Sequence, residues 1–539
     1  MSLPLKITLS FGFASALLVA GMALPGQAAS PRTDTGLSPA LCGPGDIREP
    51  GIQGDVPAGQ TGWKYNCGVR LVGQLPRAGQ VQGVGKCAYV RVSSGNTGGT
   101  VYVIDVSDPA NPKEVRSVPV KWASETMRVV VTKERAVLVS GSSVYDIRDC
   151  LNPVLKGEIQ WPPVRTGGNP PAGGGGGSGQ LPHDLRVNHA GTKVYASFGL
   201  WEADISNLDD PKSWKITDYR CELATQQPGP WKEFHRLTLA SGVNLCEDSA
   251  RNNWTVAGTG LQLAAMWPTI AHGLDASGDG RRVYVGNQAG GTSGRLAGDT
   301  RMRVIDMTQR PVKIVGEAPG PGHSVDWFRT GGRDYVLHAN EGGTGGAGPP
   351  PGAGGAGGAP GGSQGRGPAQ GGAASTPGGA APAPGGAASM MAAALQGMRS
   401  DTCKPYPRST ALGWAFEAIL SDVTGDKARN VSMLKIAINN PENCQARKAS
   451  GRDPTVAYHL IDNPYDAHFA AVNFGSAGLR IFDIRQPTKP SEVAYFNHGP
   501  LVHSGVGYYD AARGLIYAAG SSGFWVLEVE PQVKARLGL

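Results

Sequence analysis

Short apolar runs come in pairs along this chain, each pair split by a polar turn. The pattern is clearest in "AHGLDASGDGRRVYVGN" from Ala271. It returns as "PHDLRVNHAGTKVYAS" from Pro182, "GHSVDWFRTGGRDYVLHAN" from Gly322 and "VHSGVGYYDAARGLIYAAG" from Val502. Short runs rich in β-branched and aromatic residues, bounded by turn residues, predict a strand, a turn and a second strand. A second motif follows at a variable distance: "VYVIDVSDP" from Val101, "SVYDIRDCLNP" from Ser143, "WEADISNLDDP" from Trp201, "MRVIDMTQRP" from Met302, "FEAILSDVTGD" from Phe416, "LRIFDIRQPTKP" from Leu479 and "FWVLEVEPQ" from Phe524. Each reads as a buried strand, then an acid (Asp105, Asp146, Asp204, Asp306, Asp422, Asp483 or Glu528), then turn residues. A short carboxylate accepts nearby backbone N–H bonds in an Asx turn, so the aspartates are expected to be structural.

Joined in order, the two motifs give strand, turn, strand, loop, strand, turn, strand, which is one four-stranded propeller blade. The seven copies therefore predict an all-β fold, a seven-bladed β-propeller. Aligning Met127 and Arg128 with Leu185 and Arg186 puts Glu125 at the place of the motif histidine in blade two, and "YHLIDNPYDAHFAAVNFG" puts His459 there in blade six. Blade one has no such histidine. At the ends, "CGVRLVGQLPRAG" from Cys67 has the look of a fourth strand, while the last unit stops soon after its third. The N-terminal strand, Val69 to Leu75, is expected to pair with Trp525 to Val529 and close the last blade, removing a free edge.

Two segments interrupt the pattern. Residues 342–394 contain almost nothing large and apolar to bury and predict a disordered Gly/Pro/Ala-rich loop extruded from blade five; residues 221–268, with Trp231, Trp254 and Trp267, predict an ordered insertion that caps one face. At the N-terminus, Lys6 precedes an apolar run that ends in "GQAA", the order of a secretory signal cut after Ala28 or Ala29. The expected organisation is a signal over 1–29, an extension over 30–66 and the propeller over 67–539. Eight cysteines remain in the mature part and suit an oxidising compartment; Cys221 with Cys246 and Cys403 with Cys444 are the pairings expected to bracket inserts. The net charge is +7, yet only 17% of residues are charged and no basic run forms, so a nucleic-acid partner is not expected. No other stretch has the length of a membrane span.

With "VYVIDVSDP", "MRVIDM" and "LRIFDIRQPTKP" in view, the chain resembles the secreted bacterial LVIVD-repeat proteins, and "AHGLDASGDGRRVYVGN" is similar to the YVTN-type propeller repeat. The resemblance runs over roughly Cys67 to Pro531 outside the inserts. It implies the fold and, because propellers host many unrelated functions, no reaction.

Candidate chemistry lies with the histidines. The first strand of each blade lines the central channel, so His183, His272, His323, His459 and His503, with Glu125 as a sixth member, are expected to form a ring. Imidazoles with a carboxylate suit copper, zinc or iron. The alternative is that each histidine bonds a neighbouring blade and fills the channel mouth. His189 and His468 are expected in solvent-facing turns, and His235, His338 and His498 outside the channel register. Asn287, Asn340 and Asn473 are expected to supply left-handed turns beside glycine. The function this supports is an exported propeller that binds a small ligand or a protein partner, with a metal in the channel as an option. The rival is an extracytoplasmic metal-dependent enzyme, an oxidase or a lactonase-type hydrolase, that uses the channel histidines.

Overall fold

The computed structural model describes residues 37–56, 63–93, 98–121, 126–161, 184–197, 200–219, 222–223, 226, 255–256, 261–262, 273–286, 301–320, 322–339, 418–440, 443, 459–499, 506–520 and 523–539. Within them the strands form seven antiparallel sheets, one for each unit of the sequence pattern, and one separate two-stranded hairpin. Blade one runs Gln80–Val84, Cys87–Ser93, Gly98–Asp105 and Lys113–Lys121; blade four runs Gly273–Ala276, Arg282–Gly286, Arg301–Asp306 and Lys313–Pro319. The innermost strands of successive blades touch one another, and that of blade seven touches that of blade one. The sheets therefore close into a ring, a seven-bladed β-propeller.

Burial follows from the two-residue period of a strand. In Ala136–Ser140 of blade two, Ala136 and Leu138 enter the core shared with blade one, while Val137 and Val139 enter the core shared with blade three. Both faces are covered, so the strand reads as a continuous apolar run. At the blade corners all six aspartates form Asx turns: Asp105, Asp146, Asp204, Asp306, Asp422 and Asp483 each accept the backbone N–H two residues on, at 2.8 to 3.1 Å. Asn473 departs from expectation. It ends the strand Phe469–Asn473, has no left-handed backbone, and uses Oδ1 to accept the Gly475 N–H (2.9 Å). Asn287 and Asn340 lie outside the described residues.

The chain ends meet at blades six and seven. Val69–Leu75 is the outermost strand of blade seven, with Val69 opposite Val529 and Leu75 opposite Phe524. Just before it, Tyr65–Cys67 adds a fifth strand to blade six, along Ser491–Asn497. Gly68 makes the crossing at φ +70°, where a Cβ would sit 2.5 Å from Val533 and 2.9 Å from the Leu41 carbonyl; only glycine fits both constraints. Residues 37–56 strap blade six. Leu41 N–H donates to the Val493 carbonyl (2.9 Å), the Gln53 side chain donates to Glu492 (2.7 Å), and Gln53 also binds the backbone of Ala437 and Ile438. Cys42–Cys67 fastens this strap, and Cys87–Cys150 ties blade one to a turn of blade two. The helix Pro531–Leu537 seals the seam with Val533 and Leu537 fully buried. The expected pairs Cys221–Cys246 and Cys403–Cys444, the signal segment and residues 342–394 lie outside the described residues. No helix among those described is long and apolar enough to cross a membrane.

Candidate functional site: the central channel

The turn acid of each blade indexes its ladder. The residues opposite these acids on the second strands are Cys87, Val137, Lys193, Arg282, Tyr335, Phe469 and Leu515. Two residues further along each second strand, the partners on the innermost strands are Gln82, Arg128, Arg186, Asp275, Asp326, Leu460 and Tyr508. All seven line one cavity of about 560 Å³. One rung of the fold thus contributes a glutamine, two arginines, two aspartates, a leucine and a tyrosine to a common space. Its position in the sequence motif is three residues after His183, His272, His323 and Glu125.

Four blades are stitched together across this rung. Arg186 of blade three donates from Nε to the Leu274 carbonyl (2.7 Å) and from Nη2 to the Val325 carbonyl (2.6 Å), and it pairs with Asp326 at 2.5 Å. Asp275 of blade four lies 4.0 Å from Arg186 Nε and accepts the Trp327 N–H (2.7 Å). His459 of blade six bonds Ser324 Oγ through Nε2 (2.9 Å) and meets Asp326 through Nδ1. Burial alone raises the Asp326 carboxyl, but Arg186 and His459 outweigh it and bring it down to about 2. Asp275 has weaker support, and burial pushes it up.

Arg128 of blade two stands apart. Its one hydrogen bond among the described residues runs from Nη1 to the Met127 carbonyl (3.2 Å), and its Nε is buried without a partner. Burial, with Arg186 as a like-charged neighbour, lowers it to about 10. On its other side the rung is uncharged. Gln82 accepts the Val129 N–H (3.4 Å), and Tyr508 accepts the Gly85 N–H (2.8 Å). Aromatic residues from three blades gather at the cavity wall: His189, Trp327 and Tyr465 meet edge to face with ring centroids 5.1 to 5.6 Å apart. Trp327 Nε1 is also buried with no partner among the described residues.

Of the six residues expected at the channel, His183, His272, His503 and Glu125 lie outside the described residues. His323 precedes its strand, is buried, and donates its backbone N–H to the Ala339 carbonyl (2.6 Å). His459 does line the cavity, but it stands one residue before Leu460, two residues further along its strand than the motif histidine. His189 sits in the expected turn after Leu185–Val187, but its side chain lines the channel instead of facing solvent, and burial lowers its imidazole. His468 is likewise engaged, donating its backbone N–H to Asp462 (2.9 Å) with its ring Nδ1 also 2.9 Å from that carboxylate. His338 is fully buried within blade five and bonded to Ser421 (2.9 Å). Among the described residues the one group of side chains at metal-ligand spacing is Cys42, Asp46 and Cys67, whose cysteines are joined to each other. The four charged rung residues were missed, although a charge inside a buried apolar run (Arg128 in "MRVV", Asp275 in "GLDA") is the signal that marks them.

No protein-family model and no curated protein matches the chain. Among solved structures, the β-propeller domain of Myceliophteria thermophila Cps50 (Swd1) is similar at 9% identity, with 86% of this chain and 98% of that chain covered and a TM-score of 0.42. The WD40 domain of Toxoplasma gondii coronin is similar at 9% identity, with 88% and 89% covered and a TM-score of 0.40.

Proposed function

We propose that this chain is an exported seven-bladed propeller of the LVIVD-repeat kind whose central channel binds a small ligand, while its outer faces are free to meet protein partners. The observation that carries this reading is the single rung that delivers seven side chains, four of them charged, to one cavity. A volume of about 560 Å³ suits a small molecule. Buried charge of that density stabilises a fold poorly, and its natural use is recognition. Export rests on the Lys6, apolar run and "GQAA" order, together with disulfides that suit an oxidising compartment.

The test is a small-molecule screen read by melting temperature on the mature protein and on Leu460→Trp, which fills the channel and leaves its charges in place. Ligands that stabilise the parent are expected to lose their effect on the plugged variant. Hits that bind both equally would move the site to the blade faces and favour a protein scaffold. The metal-dependent enzyme remains the rival proposal, with His183, His272, His323, His459, His503 and Glu125 as ligands. Elemental analysis addresses it: stoichiometric copper, zinc or iron that disappears in His459→Ala would replace the ligand-binding reading.

A further inference from the structure

We infer that the ligand of the channel is a small organic carboxylate with an apolar body, received by Arg128; this deepens the channel reading above and rests on it. Arg128 and Arg186 occupy the same rung in adjacent blades, yet only Arg186 is saturated, by two carbonyls and Asp326. Arg128 keeps one bond to its own backbone neighbour. Enclosed polar groups are nearly always bonded, so an exception at a cavity wall marks where a partner is missing. Another residue lining the cavity, Trp327, has a second buried donor, Nε1, with no partner among the described residues. Two orphan donors ask for acceptors, and a guanidinium is shaped for the two oxygens of a carboxylate.

The remaining lining narrows the class. Asp275 and Asp326 share the channel with Arg128, so every additional negative charge on a ligand is repelled, which disfavours phosphate relative to a monoanion. The cavity also exceeds a bare ion many times over, and Trp327, Tyr465 and His189 offer ring faces and edges to an apolar body. Arg128 is held below its usual value by burial and by Arg186. A bound anion would reverse that penalty, whereas a cation or a metal would add to it.

Sodium benzoate and sodium 4-phenylbutyrate are the probes, with benzamide, 4-phenylbutyramide and inorganic phosphate as controls, each at about 10 mM and matched ionic strength, well above a millimolar Kd. The carboxylates are expected to raise the melting temperature of the mature chain through binding to the folded state. The amides and phosphate are expected to leave it unchanged. Arg128→Gln should weaken carboxylate binding at least ten-fold, and Arg128→Lys, which keeps the charge and guards against a glutamine variant that does not fold, should lose the preference for carboxylate over phosphate. No response to either carboxylate, or an equal response in Arg128→Gln, overturns the proposal, as does phosphate binding as well as benzoate. Amides that bind as well as the acids would end the carboxylate class and leave the channel reading standing. Carboxylates that bind undiminished to Leu460→Trp would end both.

Discussion

Arg480 is fully buried and Arg128 is half-buried in the channel wall, and the protein treats the two in opposite ways. Arg480 sits in the third strand of blade six between Glu49 and Glu492, donates from Nε and Nη2 to the Ala477 carbonyl at 2.8 and 2.6 Å, and lies 4.7 Å over the Tyr495 ring. Burial alone lowers an arginine, but here the two carboxylates hold it above its ordinary value. Arg128 in the channel has no such partners among the described residues and is lowered instead. The seam at blades six and seven is where the two ends of the chain must be held, and there the buried charges of Arg480, Glu49 and Glu492 answer one another. The channel is left unbalanced on one side. On the proposal above, the guanidinium left open is the one that meets the ligand.

Breaking the seam outright should have the largest effect. Truncation before Pro76 removes the strap, the fifth strand of blade six and the outer strand of blade seven, and it exposes the edge of Gly523–Val529. Loss of cooperative unfolding, with aggregation in light scattering, is expected. A truncated chain that melts like the parent would mean that the ring holds without its closure. The two arginines come next and test the comparison directly. Arg480→Met strands Glu49 and Glu492, and removing one partner from a buried ion pair costs about 3 to 5 kcal/mol. Arg128→Met breaks no ion pair among the described residues, and urea unfolding should place it within about 1 kcal/mol of the parent. Equal losses would make Arg128 a structural residue and remove the contrast.

The repeat was legible because its signals are local. An aspartate with its Asx turn is decided within three residues, and the apolar runs carry the strand period whatever surrounds them. The closure by Val69–Leu75 was legible for a related reason, since a spare strand at one end matched a missing one at the other. The site was legible only to within one turn of the motif. Imidazole chemistry drew attention to His323, yet the rung that lines the cavity lies three residues later, at Asp326. Which rung faces the axis is set by how seven sheets pack around it and by no single blade. His189 reads as a solvent-facing turn residue because the rings that enclose it, Trp327 and Tyr465, come from two other blades. Glu49 has nothing in its neighbourhood to announce a role, and its partner Arg480 is 431 residues away.

The smallest effect expected comes from acid, and it separates the seam from the channel once more. His498 follows Ser491–Asn497, the fourth strand of blade six, its ring centroid 4.0 Å from that of Phe496 and its Nε2 buried with no partner among the described residues. Burial, with a smaller push from Lys64, lowers it from its ordinary 6.5 to about 4. Between those values the unfolded chain binds a proton that the folded chain refuses. Stability therefore rises with pH across this window, is fully present above about pH 6.5, and is lost as pH falls toward 4. His189 in the channel is lowered by the same cause and contributes in the same direction. His498→Phe should flatten part of the acid slope with or without a ligand in the channel. His189→Phe should flatten its own part and in addition alter carboxylate binding, because its ring lines the cavity. Melting temperatures taken from pH 4 to 7 with and without benzoate measure both. If the parent shows no slope there, or if His498→Phe changes benzoate binding as much as His189→Phe does, then the seam and the channel are not the separate regions their charges make them.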